Sequence, residues 1–168
     1  MNARKISGQA GFTLVELIIV ILVLGVLASI AIPKFINLGG DARYAKMQGI
    51  TGSVKSAVAI VHGAALVRNL PNATGQTLTM DGGSVVNVAY LYPDGTAGGI
   101  PVAAGFDPNT TPANNTDALT VTIAGGVVTV VPTAAATPGS CTLSYTAATG
   151  VAVGPVVSLP TTASNSTC

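Results

Sequence analysis

The chain has 168 residues, of which 49% are apolar, 8% charged and 4% aromatic, and its formal net charge is +1. This length suits one modest domain with an attached segment, and so apolar a composition excludes a disordered chain. Seven Lys and Arg against six Asp and Glu leave no basic face, so we expect no direct binding of nucleic acid.

The first predicted element is an apolar helix over residues 12–32. At about 1.5 Å per residue it is about 30 Å long, which is the thickness of the hydrocarbon core of a bilayer. Arg4 and Lys5 precede it, so the positive-inside rule predicts a cytoplasmic N-terminus and an exported remainder. The only glutamate of the chain, Glu16, lies near the front of this helix.

Three interpretations of this segment compete. A secretory signal cleaved after Ala31 would have a shorter apolar run. A plain membrane anchor explains the length, but a carboxylate inside a spanning helix is costly and points to a function. The third interpretation depends on the residues around Glu16.

The stretch "GFTLVE", residues 11–16, follows a short basic leader and opens the apolar helix. It resembles the processing site of type IV prepilins and the related pseudopilins. The resemblance implies that a prepilin peptidase cuts on the cytoplasmic side, between Gly11 and Phe12, and methylates the new amine of Phe12. The leader would then be residues 1–11.

The same resemblance gives Glu16 a role in assembly. Phe12 and Glu16 are four residues apart, about one helical turn. In a bundle of low dielectric constant an unpaired charge is costly. Pairing of the Glu16 carboxylate with the Phe12 amine of a neighbouring copy would therefore favour one stagger of subunits in a filament.

Two positions in the first helix are predicted to weaken it. Pro33 lacks a backbone donor and is expected to end or kink the helix, and Gly25 is a second weak point. Their spacing from Phe12 is similar to that of many type IV pilins.

An amphipathic helix is predicted over residues 33–69. Its apolar residues recur at steps of three and four, and Asn69 with Pro71 ends it. Gly39 and Gly40 interrupt the pattern, and Asp41 is expected to cap a restarted helix. His62 falls on the polar face, where we expect it to contact solvent or another subunit.

The remainder, residues 70–168, is rich in Thr, Ala, Gly and Val, and predicts a β-rich head. The run "LTVTIAGGVVTVV" predicts a hairpin with a Gly-Gly turn, and "YPDGTAGGIPVAAGFDPNTTPANNT" predicts loop. A sheet packed on the apolar face of the second helix gives an α+β fold, and the resemblance to type IV pilins implies the same, pilin-like arrangement. The predicted strands are Gln76–Met80, Ser84–Leu91, Leu119–Ile123, Val127–Val131, Cys141–Thr146 and Val151–Leu159.

The two cysteines are Cys141 and Cys168. Two thiols are too few for a structural metal site, so a disulfide in an oxidising compartment is favoured over a pair of free thiols. Many type IV pilins close a C-terminal loop with such a bond. The runs "PKFINL", "GDAR" and "CTLSYTAAT" look most like the major pilin of mannose-sensitive haemagglutinin pili.

No constellation of catalytic residues, metal ligands or phosphate-binding glycines occurs, so we expect no enzyme, no metal and no cofactor. The expected function is that of a pilus subunit, held in the bacterial inner membrane and then assembled into extracellular filaments. The expected partners are prepilin peptidase, further copies of the chain, the pilus assembly machinery, and a surface or glycan receptor. A type II secretion pseudopilin and a monomeric anchored or secreted β-domain are the alternatives.

Overall fold

The computed structural model of this protein describes residues 11–35, 38–106, 119–133, 135, 137–160, 163–164 and 168. Residues 1–10, which include Arg4 and Lys5 of the leader, and residues 107–118, which include the end of the predicted long loop, lie outside these ranges. The chain divides into two units, Met1–Asn37 and Leu38–Cys168.

The first unit contains one described element, helix α1, which spans Leu14–Phe35. The side chains of residues 11–32 are all exposed, in agreement with a helix that is apolar on every side. Ser29 lies in the middle of this run, and its hydroxyl donates a hydrogen bond to the carbonyl oxygen of Val26 at 2.7 Å. The polar group is therefore satisfied within the helix, as an apolar environment requires.

The second unit begins with helix α2, Leu38–Val67. Gly39 and Gly40 lie inside it, and Asp41 is in its first turn, where a carboxylate favours the positive end of the helix dipole. The helix thus starts earlier than an Asp41 cap would place it. Its buried residues are Gly40, Met47, Val54, Ala57, Val61 and Ala65.

The end of α2 has the backbone pattern of a Schellman motif. Asn69 adopts a left-handed conformation with φ of 51°. The Asn69 amide donates to the carbonyl of Leu66, and the Leu70 amide donates to that of Ala65, both at 3.0 Å. These bonds satisfy carbonyls that the helix leaves free, so the predicted stop at Asn69 has a structural cause.

The head contains two antiparallel sheets. The first has the order β1-β2-β3, with β1 at Gln76–Thr79, β2 at Val85–Ala89 and β3 at Tyr92–Pro93. The second has the order β4-β5-β6-β7. Its strands are Leu119–Ala124, Val127–Pro132, Leu143–Thr146 and Val156–Ser158.

Helix α2 contributes to the cores under both sheets. Met47, Val54 and Ala57 belong to the core that includes residues of β4, β5 and β6. Val61, one turn further along, packs with residues of β1 and β2. The head is therefore α+β, with a long helix packed on antiparallel sheet, as the sequence predicts.

Three short elements differ from the sequence prediction: two lie in the segment predicted as loop, and the third includes Cys141, the first residue of a predicted strand. Strand β3, a helix α3 at Ile100–Ala104, and a 3-10 helix at Pro138–Cys141 all lie in segments rich in Pro and Gly. In α3, Ile100 and Pro101 are buried, and Ile100 lies in the core with α2. The gain from burying Ile100 outweighs the weak local preference of the segment for helix.

Candidate processing and assembly site

The first turn of α1 is closed by a reciprocal pair of hydrogen bonds between Thr13 and Glu16. The Thr13 backbone N–H donates to Glu16 Oε2 at 3.0 Å, and the Glu16 backbone N–H donates to Thr13 Oγ1 at 3.3 Å. The Thr13 hydroxyl also donates to the same carboxylate oxygen at 2.8 Å. This arrangement is a capping box, in which N-cap and N3 side chains satisfy each other's backbone donors.

The capping box fixes the carboxylate next to the predicted cleavage point. Gly11 and Phe12 immediately precede Thr13, and the Phe12 side chain is 82% exposed. A Cβ added at Gly11 would meet nothing within 4 Å among the described atoms. Among the described atoms the space beside Gly11 is therefore open, and Glu16 lies about one turn beyond Phe12.

The carboxylate keeps capacity for a further donor. Oε2 accepts both bonds from Thr13, whereas Oε1 accepts none from the residues that the structure describes. A carboxylate has about four lone-pair sites, so two bonds do not saturate it. Thr13 can therefore orient Glu16 while another charged group binds the same carboxylate.

The two predicted weak points lie further along the helix. Gly25 is in the middle of α1, with open space around its Cβ position. Pro33 is in the last turn, and the helix ends two residues later at Phe35. Helical backbone continues through both positions, so a kink or local unwinding in a filament stays a prediction.

A disulfide joins Cys141 to Cys168 in the head, with the two Cα atoms 5.2 Å apart. Both cysteines are buried in the larger core. Arg43 in α2 donates from Nε to the carbonyl oxygen of Cys168, and the Cys168 amide donates to the carbonyl of Ser164 at 2.9 Å. The end of the chain is therefore held covalently to the core and by hydrogen bond to α2.

His62 has a structural role within the head. It is half-buried and its ring stacks on Tyr92, with the ring centroids 4.1 Å apart. His62 Nδ1 lies 3.1 Å from the carbonyl oxygen of Leu91, so this nitrogen carries the proton. The sequence predicts that His62 contacts solvent or another subunit. In the structure it also contacts the β2–β3 turn, which packs against α2.

The structure brings together three of the predicted site residues, Gly11, Phe12 and Glu16, within two turns of chain. Thr13 belongs with them and was missed. The sequence carried the necessary signal, because Thr-x-x-Glu before an apolar run is the pattern of a capping box.

Among described helices, Leu14–Ile32 and Leu38–Val67 are long and apolar enough to cross a bilayer. In the second helix, α2, part of the apolar content belongs to residues that are buried in the core of the head. The first has no buried residue, so its apolar surface is available to lipid or to other chains.

Comparison with known proteins points to one family. Residues 6–32 match the model of the prokaryotic N-terminal methylation motif. The type IV narrow pilus major component PilA5 of Thermus thermophilus is 34% identical over 84 residues, which cover 50% of this chain and 71% of that protein. No solved structure matches significantly.

Two further relatives match over shorter shares of their length. The type IV major fimbrial protein FimA of Dichelobacter nodosus is 40% identical over 52 residues, which cover 31% of this chain and 33% of that protein. The fimbrial protein EcpC of Eikenella corrodens is 33% identical over 90 residues, which cover 54% of this chain and 59% of that protein. With the methylation motif at its start and a relative matched over most of its length, this chain belongs to the type IV pilin family.

Proposed function

We propose that this chain is the major structural subunit of a type IV pilus of the mannose-sensitive haemagglutinin type, and that its filaments attach cells to surfaces. The proposal is supported by helix α1, whose side chains from residue 14 to 32 are all exposed and whose first turn contains Glu16 in the capping box. So long an apolar surface needs lipid or other copies of itself around it.

Before assembly, α1 holds the subunit in the bacterial inner membrane with its N-terminus in the cytoplasm. Prepilin peptidase removes residues 1–11 and methylates the Phe12 amine. Removal of Arg4 and Lys5 changes the balance of seven basic against six acidic residues to five against six. The mature subunit is then nearly neutral, which suits close packing of many copies.

In the filament, the apolar helices form the interior and the heads form the outer layer. Each new subunit places its Phe12 amine against the Glu16 carboxylate of a neighbour, on the oxygen that Thr13 leaves free. The contact is heterologous and does not close, so repetition generates a helical polymer. The Glu16 charge sets the register, because any other stagger leaves it unpaired among apolar side chains.

Substitution of Glu16 tests the assembly step. We expect Glu16→Gln to be cut at Gly11 and retained in the membrane, with filament yield strongly reduced, since the amide cannot neutralise the Phe12 ammonium. Ser29→Ala is the matched control, because it removes a polar group of α1 whose hydrogen bond stays within the helix. Filament yields of Glu16→Gln equal to those of the control would refute the role of Glu16.

Adhesion is proposed from the character of the head surface. From residue 118 to residue 168 the sequence contains no Asp, Glu, Lys, Arg or His. Val151, Val153 and Val156 are all more than half exposed between β6 and the end of the chain. Such a surface meets an uncharged solid or glycan without the cost of desolvating ions.

The attachment proposal has a direct test. Purified filaments are expected to bind neutral polystyrene beads and to retain that binding at high salt, because ionic contacts contribute little. Haemagglutination by the same filaments should be inhibited by mannose. Filaments that bind beads only at low salt, or haemagglutination that mannose leaves unchanged, would contradict the corresponding part of the proposal.

A type II secretion pseudopilin shares the N-terminal signature and is the main alternative. The Cys141–Cys168 disulfide favours a pilin, because the resemblance to type IV pilins implies a C-terminal loop closed by such a bond. Electron microscopy separates the two, because a pilus subunit is recovered in long surface filaments at its native level of expression.

A further inference from the structure

The head contains two Asp-Gly pairs that the structure places in opposite surroundings. Asp81–Gly82 lies in the turn between β1 and β2, and Asp94–Gly95 follows β3. An Asp-Gly pair is chemically special because glycine leaves its own backbone nitrogen unshielded beside the aspartate carboxyl group. Whether that nitrogen attacks depends on how freely the local backbone can rotate.

The Asp81 turn is open and loosely held. Asp81, Gly82 and Gly83 are exposed, and Cβ atoms added at both glycines would meet nothing within 4 Å. Gly82 and Gly83 have φ of 94° and 86°, and Gly83 donates to the Met80 carbonyl at 3.1 Å. Within the described chain, neither the Gly82 amide nor the Asp81 carboxylate has a hydrogen bond.

The Asp94 loop is restrained by hydrogen bonds of Asp94 and by close packing around Gly95. Asp94 Oδ1 accepts from the backbone N–H of Thr96 at 3.0 Å and from its hydroxyl at 2.6 Å. The Asp94 amide donates to the Asn87 carbonyl, and the Asp94 carbonyl accepts from Ile100. Gly95 is buried, and a Cβ there would lie 2.2 Å from the carbonyl oxygen of Gly126.

We propose that Asp81 is a site of spontaneous isoaspartate formation in the folded protein, and that Asp94 is protected by its surroundings. The Gly82 nitrogen attacks Asp81 Cγ, an N–C bond forms, and the carboxyl OH leaves with the amide proton as water. Water then adds to one of the two carbonyl carbons of the cyclic imide. Opening at the main-chain carbonyl gives isoaspartate, and opening at Cγ restores aspartate.

The product fits the turn in which it forms. In isoaspartate the backbone runs through Cβ and Cγ, so the turn gains one backbone atom and no mass. The hydrogen bond that closes the hairpin, from the Met80 amide to the Ser84 carbonyl at 2.7 Å, lies outside the altered residue. The modified chain therefore keeps the β1–β2 pairing and its buried residues Leu78 and Val86.

The test uses the full-length protein in detergent, incubated at neutral pH in water enriched in the heavy oxygen isotope. Each passage through the imide incorporates one heavy oxygen, which mass spectrometry locates in the chymotryptic peptides that contain Asp81 and Asp94. Because a locked site reacts only through local opening, incorporation at Asp81 should exceed that at Asp94 by about tenfold or more. Electron-transfer fragmentation identifies the isoaspartate.

Matched variants sharpen the comparison. Asp81→Asn and Asp94→Asn each put the more reactive side-chain amide at the site. The Asp94→Asn side chain keeps an acceptor oxygen for Thr96, so imide formation is again expected to be faster at residue 81 than at residue 94. Equal incorporation at the two wild-type sites, or none at Asp81, would overturn the proposal. Urea-unfolded protein, in which both pairs are free, should show the two rates converge.

Discussion

At the scale of single residues, Tyr145 connects the two sheets of the head. It is 2% exposed, and its hydroxyl donates to the carbonyl oxygen of Pro93, so β6 of one sheet is tied to β3 of the other. Burial, with smaller contributions from Asp94 and Tyr92, raises the pKa of this hydroxyl above its ordinary value. The folded state therefore holds the proton in a pH range where the unfolded chain has lost it.

This shift predicts a loss of stability in alkaline solution. Above about pH 10, the ordinary tyrosine pKa, the free energy of unfolding should fall by about 1.4 kcal/mol per pH unit, because the unfolded state binds fewer protons. Below that pH the contribution of Tyr145 is constant. Urea unfolding of the full chain in detergent between pH 8 and 11 measures it.

Tyr145→Phe is the comparison variant for that series. It should be less stable at neutral pH by about 1–3 kcal/mol, since the Pro93 carbonyl loses its buried donor. Its stability should decline less steeply with pH than that of the wild type. Parallel curves for the two proteins would assign the alkaline loss to other groups.

The Thr13–Glu16 capping box is a second feature at this scale. Thr13→Val keeps the shape of the side chain and removes the hydroxyl that both accepts from and donates to Glu16. We expect faster amide exchange in the first turn of α1 and a reduced filament yield, with cleavage after Gly11 unchanged. Thr13→Ser keeps a hydroxyl at this position and should behave as wild type. A Thr13→Val chain that assembles normally would show that assembly does not need the Thr13 hydroxyl, since the Thr13 backbone N–H still donates to Glu16.

At the scale of elements, local patterns in the sequence predicted the regular parts of the fold. The alternation in "LTVTIAGGVVTVV" gives a hairpin because Leu119, Val128 and Val130 are buried while Gly125 and Gly126 both have positive φ. The hairpin between β2 and β3 escaped prediction because Tyr90 and Leu91 occupy its left-handed positions without glycine. Contacts with α2, through His62 and the Leu91 carbonyl, stabilise that turn.

Side-chain periodicity also placed the buried face of α2 correctly only in part. Val54, Ala57, Val61 and Ala65, which follow the predicted steps of three and four, are buried, whereas Leu38, which continues the same pattern toward the start of the helix, is 51% exposed. Near the start of the helix the buried positions are Gly40 and Met47 instead. Small apolar residues occur all around this half of the helix, so periodicity alone could not choose the face.

The loop after β3 packs closely against the backbone of the β4–β5 turn. A Cβ at Gly95 would lie 2.2 Å from the Gly126 carbonyl oxygen in the β4–β5 turn, so Gly95→Ala forces the two segments apart. We expect a loss of about 1–3 kcal/mol in the free energy of unfolding, as for overpacking of a core. Differential scanning calorimetry or urea titration measures it.

Gly52→Ala is the control for that variant. Gly52 is an exposed residue of α2, and an added Cβ would meet nothing within 4 Å. Alanine should stabilise the helix there by about 0.5–1 kcal/mol. If both variants changed stability alike, the close approach at Gly95 would have no energetic weight.

The disulfide should contribute to stability mainly by restricting the unfolded chain. The two cysteines are 27 residues apart in sequence. Replacing both by alanine should lower the free energy of unfolding by about 2–4 kcal/mol. Reduction of the wild type under unfolding conditions should reproduce most of this loss. A double variant as stable as the wild type would show that the Arg43 contact, rather than the disulfide, holds the C-terminal residue against the core.

At the scale of the whole molecule, the candidate site was predictable because all its information is local. Gly11, Phe12 and Glu16 lie within six residues, and the apolar run that follows Phe12 can be recognised by its length alone. The connections inside the head were not predictable in this way. Contacts such as Arg43 to Cys168 and Tyr145 to Pro93 join residues 125 and 52 positions apart, and no local pattern encodes them.

The distribution of charge is also a property of the whole chain. All five aspartates lie between residues 41 and 117, and the sole glutamate is Glu16. Glu16 is thus the one charged side chain between residues 12 and 32, while the final third of the chain carries no charged side chain. This division of charge along the chain fits the roles proposed for the two segments, assembly for α1 and attachment for the head.

The most direct test of this account is intact-mass and N-terminal peptide analysis of protein sheared from cell surfaces, compared with the membrane fraction. We predict a surface species that begins at Phe12, carries a methylated amine and contains the Cys141–Cys168 bond. A surface species that begins at Ile32, or a chain found only uncut in the membrane, would contradict it.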